Sequence, residues 1–352
     1  MRRTFWTAAW AVCVLWAATV TIVCAAASSP AVAGPAEPAR YEYTRIEMGV
    51  PFRILLYAAD ETSAKRASDA AFARIRELNK IMSDYDSESE LSHLSRAAPT
   101  EKPFPVSLPL WHVLSRAQQL AATSDGAFDV TVGPYVRLWR RARRSGEFPS
   151  KARLAEAREA VGYRHLQLHQ GTQSVTLTRP HMRLDLGGIA IGYAVDEALA
   201  VLDRHGICRA MVDASGDIAA TGPPPLQSGW RIAIAPREET GSPRCYLRLA
   251  HGAVTTSGDA LQHVIIDGRR YSHIVDPRTG LGLTDQSSVT VVARDCITAD
   301  SLATAVSVLG PEAGLKLICK TPGAAALVVR KTNGKREEVC TPNWRKLGCG
   351  PR

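Results

Sequence analysis

The strand segments of this sequence come mostly in pairs joined by short turns, and this pattern restricts the fold more than any other feature. The clearest pair, residues 263–266 and 271–275, flanks Asp267-Gly268, a dipeptide that favours a type I′ hairpin. Two further hairpins are predicted at Gln170-Gly171 and Asn333-Gly334. The strand–helix–strand alternation of a doubly wound sheet is poor. We therefore predict an α+β fold with antiparallel sheets flanked by helices.

The most regular helical segment spans residues 62–81. Its apolar residues recur every three or four positions, which places them on one stripe of a helix. The members of this stripe are Ala64, Ala67, Ala71, Phe72, Ile75, Leu78 and Met82. Further helices are predicted around residues 110–121, 151–161 and 189–205, and from 299 to about 309. Residues 83–95 are predicted to form a polar loop.

The organisation of the chain is predicted to be simple. Of 352 residues, 45% are hydrophobic and 22% are charged, a balance that excludes wholesale disorder. Residues 34–40 are a linker, residues 41–340 show no repeat and no break in composition, and residues 341–352 are a C-terminal tail. We predict a single domain over residues 41–340.

The first 33 residues predict export. Two arginines precede an uncharged stretch over residues 5–23, and Ala31-Val32-Ala33 offers a cleavage site. The uncharged stretch is longer than the about 7–15 residues usual for a signal core. A retained N-terminal anchor and a lipoprotein modified at Cys24 are therefore the alternatives. Each places the folded part in the periplasm, in contact with the inner membrane only through this segment.

The net charge of +9 is spread along the chain apart from a cluster at residues 140–144. A nucleic-acid binder usually carries a denser basic stripe, so no nucleic-acid partner is expected. Six cysteines follow the export segment, and none forms a Cys-x-x-Cys pair, which argues against a zinc ribbon. In an oxidising compartment, the disulfide that we expect most is Cys340–Cys349, across a short terminal loop.

A candidate metal site lies in the segment Thr-Ala-Asp-Ser-Leu-Ala-Thr, residues 298–304. If Thr298 caps the helix, Asp300 lies in its first turn, and Thr304 follows four residues later on the same face. A carboxylate beside a hydroxyl can ligate a hard cation. Taken alone, the pattern is more typical of an ordinary helix start.

A candidate nucleotide site lies in the segment Leu-Asp-Leu-Gly-Gly-Ile-Ala-Ile-Gly-Tyr, residues 184–193. The glycines let the backbone approach a phosphate, and the following helix start favours an anion. Asp185 could bind the polar edge of a ring. The glycine spacing is not that of the dinucleotide-binding fingerprint of a Rossmann fold.

Several other segments carry polar side chains at strand ends and turns. They are Met-Ser-Asp-Tyr-Asp at 82–86, Ser-Asp-Gly-Ala-Phe-Asp at 124–129, Thr-Thr-Ser-Gly-Asp at 255–259 and Ser-His-Ile-Val-Asp-Pro-Arg at 272–278. The nucleophile elbow, the zincin helix and the phosphate-binding loop are all missing from the sequence. Hydrolase-triad, zinc-protease and P-loop functions are therefore excluded.

Together and in this order, these segments resemble the ApbE family of FAD:protein FMN transferases over about residues 42–340. The resemblance implies a T-fold-like α+β domain that binds FAD as its substrate together with Mg²⁺. It also implies transfer of FMN to a Thr or Ser hydroxyl of another protein with release of AMP. The expected acceptor is an FMN-binding subunit or domain of an exported or membrane redox complex.

The resemblance also implies roles for individual residues. The expected ligands of Mg²⁺ are Gly188, through its carbonyl, and the side chains of Asp300 and Thr304. The residues expected to contact FAD, besides Asp185, are Met48, Tyr85, Ala127, Phe128, Asp129 and Val275. Ile191, also at the cofactor, replaces the lysine that is common in relatives. Two other positions depart from the family pattern: Ala303 replaces an acid that some relatives have, and Ser215 replaces a usual glycine.

The chemistry of the implied reaction assigns one more role. The attacking hydroxyl needs a proton acceptor, and the sequence leaves His273, Asp276 and Asp259 as alternatives. Two competing functions also stay open. One is an FAD pyrophosphatase, with water as the nucleophile at the same site. The other is a non-enzymatic periplasmic flavin-binding protein.

Overall fold

The computed structural model describes residues 37–234, 243–258, 262–332 and 335–349. The predicted export segment and Asn333-Gly334 lie outside these residues. The helices that the described residues form are α1 (Glu61–Met82), α2 (Glu90–Arg96), α3 (Leu108–Thr123), α4 (Gly133–Ser145), α5 (Lys151–Glu159), α6 (Ala190–Arg204), α7 (Cys296–Lys320) and α8 (Pro342–Lys346).

The strands of the described residues fall into one large sheet and four small ones. The strands are β1 (Ala39–Glu47), β2 (Val50–Ala58), β3 (Phe104–Pro105), β4 (Leu166–His169), β5 (Ser174–Leu177), β6 (Ala210–Ala214), β7 (Asp217–Ala220), β8 (Trp230–Ile234), β9 (Cys245–Leu249), β10 (Gly252–Gly258), β11 (His263–Ile266), β12 (Arg269–Ser272), β13 (Val275–Asp276), β14 (Leu281–Gly282), β15 (Gln286–Ala293), β16 (Ala325–Thr332) and β17 (Lys335–Cys340).

The large sheet has eight strands in the order β1-β2-β6-β7-β10-β15-β16-β17. Every neighbouring pair in it is antiparallel. The small sheets are β3-β5-β4, β8-β9, β11-β12 and β13-β14. Asp267 and Gly268, at the turn of β11-β12, both have positive φ angles, as a type I′ turn requires. The predicted α+β class and its antiparallel sheets are thereby confirmed.

Alternate side chains along the strands pack against two different layers. Ile54 and Leu56 belong to the main core, which α1, α6 and α7 cover. Leu55, between them, belongs to a second cluster with Trp230 of β8 and Trp344 of α8. Because successive side chains point to opposite faces of a sheet, helices cover one face and β8-β9 with α8 covers the other.

Helix α1 shows how closely periodicity predicts packing. All seven residues of its predicted stripe are buried. Asp60 caps the helix by accepting a hydrogen bond from the Ser63 amide at 2.8 Å. At about 1.5–3 kcal/mol for each large apolar side chain that leaves water, Phe72, Ile75 and Leu78 stabilise the contact of this helix with the sheet.

Two helices differ from what the sequence predicts. Residues 83–95 are not a polar loop throughout, because Ser89 caps α2, whose Leu91 and Leu94 are fully buried. Two apolar residues among polar ones give too weak a periodicity to reveal so short a helix. The basic cluster at residues 140–144 belongs to helix α4, which the sequence did not predict. This helix buries Tyr135, Trp139 and Ala142 while its arginines cover the opposite side.

Helix α7 is longer than predicted and starts earlier. Its cap is Asp295, which accepts from the Thr298 amide at 3.0 Å. The helix breaks at Gly310, where φ is 76°, immediately before Pro311. It is long and apolar enough to span a membrane, but most residues of its first half are buried in the protein core.

The expected disulfide between Cys340 and Cys349 is wrong. Cys349 is bonded to Cys245 of β9, with 5.8 Å between the two Cα atoms. Cys340 is a free thiol at the end of β17, where it lies opposite Leu327. Helix α8 intervenes between Cys340 and Cys349, and its Trp344 donates a hydrogen bond to the Cys349 carbonyl at 2.7 Å. The chain reversal after α8 thus brings Cys349 to β9 instead of β17.

Candidate active site

A cavity of about 320 Å³ opens between the start of α7, the two-glycine turn before α6 and the ends of several strands. Ten of the predicted site residues line it. They are Ala127, Phe128, Asp129, Asp185, Gly188, Ile191, His273, Val275, Asp300 and Thr304. These residues come from four distant segments of the chain, so the fold brings together what the sequence separates.

The predicted metal ligands form one corner of this cavity. Gly188 packs so closely on α7 that a Cβ atom added to it would lie 2.8 Å from Thr304 Oγ1. Gly192 packs even more closely, since a Cβ atom added to it would lie 2.5 Å from the Cys296 carbonyl oxygen. The Gly192 amide donates to Asp300 Oδ2 at 3.2 Å. We call Gly188, Asp300 and Thr304 the oxygen corner.

The structure changes the predicted position of Asp300 in its helix. Because Asp295 caps α7, Asp300 lies beyond the first turn of the helix. Asp300 is only 6% exposed. Burial and the neighbouring Asp217 carboxylate raise the pKa of Asp300 well above its ordinary value. A buried acid of this kind is stabilised in its charged form by a nearby cation.

Two further acids near the oxygen corner were not among the predicted site residues. Asp217 lines the cavity, and burial raises its pKa to about 7. Burial also raises the pKa of Asp196 to about 7, although its carboxylate accepts from the amides of Cys296 and Ile297 at 2.8 and 2.9 Å. Asp217 ends the segment Val-Asp-Ala-Ser-Gly-Asp, residues 212–217, which also holds Ser215. A carboxylate next to a Ser-Gly turn is the only local signal of Asp217 in the sequence.

The segment 127–129 forms another wall of the cavity. Asp129 is buried, and its Oδ1 accepts from the Thr131 amide at 2.8 Å and from Thr131 Oγ1 at 2.7 Å. Burial raises the pKa of Asp129 in spite of these bonds. Asp129 therefore shapes its own turn, which presents Ala127 and Phe128 to the cavity.

Asp185 lies at the rim of the cavity and is tied to two other segments. Its Oδ1 accepts from the Gly187 amide at 2.9 Å, and its Oδ2 pairs with the Arg140 guanidinium at 2.9 Å. Arg140 also pairs with Asp84 and covers one face of the Tyr85 ring, 4.1 Å from the ring centroid. We call Asp84, Tyr85, Arg140 and Asp185 the rim cluster. The sequence identified Arg140 only as part of a basic cluster.

The structure does not bring every predicted FAD contact to the cavity lining. Tyr85 is 78% exposed and reaches the site through Arg140. Met48 has a φ of 51° in the turn between β1 and β2 and packs against the main core. Its neighbour Val50 lines the cavity instead.

Of the three predicted proton acceptors, the structure places one in the cavity. His273 lines it, with Nδ1 3.1 Å from the Gln262 carbonyl oxygen. Asp276 lines a neighbouring cavity, and both its oxygens bond Arg278 at 2.9 Å. Asp259 lies outside the described residues.

Two of the three departures from the family pattern, Ile191 and Ser215, lie in the cavity wall. Ile191 is half-buried and packs against the main core. Ser215 is exposed, and its φ of 54° is a left-handed conformation that glycine adopts with less strain than serine. Both residues line the cavity.

These features define a ligand-binding protein of the α+β class, with an antiparallel sheet, a glycine turn against a helix and an oxygen-rich corner in one cavity. The model of the ApbE family matches residues 48–328. The chain therefore belongs to the ApbE family.

Known members of the family share both sequence and structure with this chain. The FAD:protein FMN transferase of Vibrio cholerae serotype O1 is 35% identical over 267 residues, covering 75% of this chain and 79% of its own. The enzyme of the same name from Haemophilus influenzae is 31% identical over 279 residues, 77% and 81% of the two chains. The solved flavin transferase ApbE from Vibrio cholerae superposes with a TM-score of 0.79 at 31% identity, covering 88% of this chain and 99% of that one.

Proposed function

We propose that this protein is an FAD:protein FMN transferase that uses Mg²⁺ to move FMN from FAD to a Thr or Ser hydroxyl of an acceptor protein. The observation that carries the proposal is the convergence of ten family site residues on one cavity. The names of the relatives support the flavin-transfer chemistry. An enzyme role also agrees with the buried acids at the oxygen corner, since perturbed carboxylates concentrate at functional sites.

The oxygen corner fits Mg²⁺ in the chemistry of its donors. A carboxylate, a hydroxyl and a backbone carbonyl are hard oxygen ligands, and Mg²⁺ is typically held by one or two carboxylates together with substrate phosphates. Among the described residues, the Thr304 side-chain hydroxyl has no hydrogen-bond partner, although its backbone belongs to α7. Asp300, Thr304 and Gly188 would hold the cation, which would offset the negative charge of the pyrophosphate when bound.

The reaction forms one bond and breaks one. The acceptor hydroxyl oxygen bonds to the FMN phosphorus, and the pyrophosphate P–O bond breaks so that AMP leaves. The hydroxyl proton passes to a base, and we assign this role to His273. Its Nδ1 faces a carbonyl, which can only accept, so Nδ1 carries hydrogen and the lone pair of the neutral ring lies on Nε2. Asp276 is a weaker candidate because both its oxygens already accept hydrogen bonds from Arg278.

The proposed acceptor is an FMN-binding subunit or domain of a redox complex outside the cytoplasm. The basis is the sequence of residues 1–33, which is typical of an export signal or an N-terminal anchor. We accordingly place the enzyme in the periplasm, with residues 34–40 as a linker and 41–340 as the transferase domain. Fractionation of cells and N-terminal sequencing of the protein test this location.

The decisive experiment combines the full-length protein with FAD, MgCl₂ and a purified candidate acceptor domain. Intact-mass analysis should show the acceptor gaining one FMN, and chromatography should show an equal amount of AMP. A matched sample with excess EDTA should show neither product. Release of AMP and FMN without a mass gain on any acceptor tried would indicate a pyrophosphatase instead. Binding of FAD with no product formed would indicate a flavin-binding protein.

A further inference from the structure

Arg140 joins three segments that are far apart in the sequence. It lies on α4, pairs with Asp84 before α2 and with Asp185 before α6, and covers the Tyr85 ring. Its side chain is only 20% exposed. A guanidinium is planar and carries several donors, so it can bond two carboxylates in its plane and stack on a ring at the same time. A lysine ammonium offers no such plane.

The Arg140 contact determines how Asp185 is presented at the cavity rim. The Asp185 side chain is 10% exposed, and both its oxygens are engaged, one by the Gly187 amide and one by Arg140. Burial and Asp84 raise the pKa of Asp185, while Arg140 lowers it. Without the guanidinium, the nearly buried Asp185 carboxylate would face Asp84 with its own ion pair lost.

The same contact determines where the Tyr85 ring lies. The loop that holds Tyr85 is closed by hydrogen bonds from the amides of Tyr85 and Asp86 to Ser83 Oγ, at 3.2 and 3.1 Å. Its ring is otherwise exposed to solvent and rests on Arg140. One face of the ring is therefore covered and oriented by the guanidinium, while most of the ring stays accessible to a ligand.

Helix α4 does not depend on Arg140 for its position. That helix is already anchored by the buried Tyr135 and Trp139. The Trp139 indole also donates to the Gly280 carbonyl at 2.8 Å. The Arg140 side chain instead pairs with Asp84 and with Asp185, and Asp185 lines the cavity.

We infer that Arg140 is a positioning residue for the flavin nucleotide, which holds the Asp185 carboxylate and the Tyr85 ring in one fixed arrangement at the cavity rim. The inference rests on the proposed function, since it assigns the rim to FAD. It adds to the site a charged residue of α4, the helix whose Val136 already lines the cavity.

The test is titration of FAD, by quenching of flavin fluorescence in the presence of MgCl₂, with the full-length protein and matched α4 variants. We expect Arg140→Gln to weaken FAD binding about tenfold, because charge-assisted bonds and the stacked contact are both lost. Arg140→Lys should recover part of the affinity through its charge. Arg141→Gln is the control, because Arg141 is exposed and makes no ion pair with any described residue. Thermal unfolding checks that all three variants are folded at the titration temperature, because loss of the Arg140–Asp185 pair should itself lower the melting temperature.

A double-mutant cycle with Tyr85→Leu separates positioning from a general effect. If Arg140 acts through the Tyr85 ring, its loss should cost clearly less affinity in the Tyr85→Leu background. In turnover assays, Arg140→Gln should raise KM for FAD more than it lowers kcat. Unchanged FAD affinity in folded Arg140→Gln, or equal losses in both backgrounds, would overturn the inference alone. Absence of FAD binding by the unmodified protein would overturn the proposed function, and the inference with it.

Discussion

The oxygen corner lines the same cavity that the rim cluster reaches through Asp185, but the two are built in opposite ways. At the oxygen corner, Gly188 and its neighbour Gly192 in α6 let the chain approach α7 so closely that a single added carbon would clash. The corner is thus determined by backbone packing. In the rim cluster, side chains from three segments meet through ion pairs and one stacked ring. The rim is thus determined by charge.

Substitutions in the two regions should therefore change different properties of the protein. A change in the oxygen corner should affect metal-dependent chemistry or helix packing, with little dependence on salt. A change in the rim cluster or the adjacent wall should affect ligand affinity, and salt should modulate the effect.

Asp300→Asn should lower Mg²⁺-dependent turnover by about two orders of magnitude or more, because a neutral amide is a poor ligand for a hard cation. The fold should survive without metal. Burial raises the pKa of Asp300, so its ionisation at neutral pH favours the unfolded chain, and Asn removes that effect. The melting temperature in EDTA should therefore not fall, while the increase caused by MgCl₂ should disappear.

The control is Ser307→Ala, because Ser307 is buried in the same helix and its hydroxyl bonds within its own turn. Full activity of Asp300→Asn in MgCl₂ would contradict the oxygen corner.

Loss of the Cys245–Cys349 disulfide should affect neither region of the site. The bond belongs to the apolar cluster on the sheet face opposite α6 and α7. Cys245→Ser should lower the free energy of unfolding by about 2–4 kcal/mol, with FAD affinity unchanged below the unfolding transition. Urea unfolding of this variant and of Cys340→Ser, the free-thiol control, measures the difference. Equal destabilisation by both variants would be evidence against the observed pairing.

Gly192→Ala should separate α6 from α7. Its Cβ would lie 2.5 Å from the Cys296 carbonyl oxygen and 2.9 Å from Asp300 Cβ, and relieving such overpacking typically costs about 1–3 kcal/mol. Activity should fall as well, because Gly192 donates to Asp300. Gly171→Ala is the control, since no other atom lies within 4 Å of the Cβ position there. Urea unfolding and turnover in MgCl₂ together check the prediction, which fails if the two alanine variants behave alike.

Ile191→Lys should have the smallest effect, a gain of a few-fold in FAD affinity. Ile191 lines the cavity wall near the start of α6, and a lysine stem could follow that wall while its ammonium approaches the nucleotide. The gain should shrink as salt is raised, since the added interaction is between charges partly open to water. FAD titrations at low and high ionic strength measure it. No gain at low salt would show that position 191 does not face the nucleotide.

Local patterns in the sequence determined much of this molecule. The apolar stripe of α1, the hairpin at Asp267-Gly268 and the antiparallel α+β class all follow from periodicity and turn chemistry, which act over a few residues. The order of the motifs was sufficient to indicate the family. It also predicted ten residues that line one cavity.

The burial, disulfide pairing and ion pairing of individual residues depend on contacts with segments far along the chain, which only the tertiary structure provides. Asp300 looks like an exposed acid in a first helical turn, but it is buried, because Asp295 starts the helix earlier and α6 packs against it through Gly192. Cys349 bonds a cysteine 104 residues away instead of its neighbour. Arg140 is one of several similar arginines until the fold brings Asp84, Tyr85 and Asp185 to it. Burial and ion pairing are properties of the assembled chain, and no local pattern contains them.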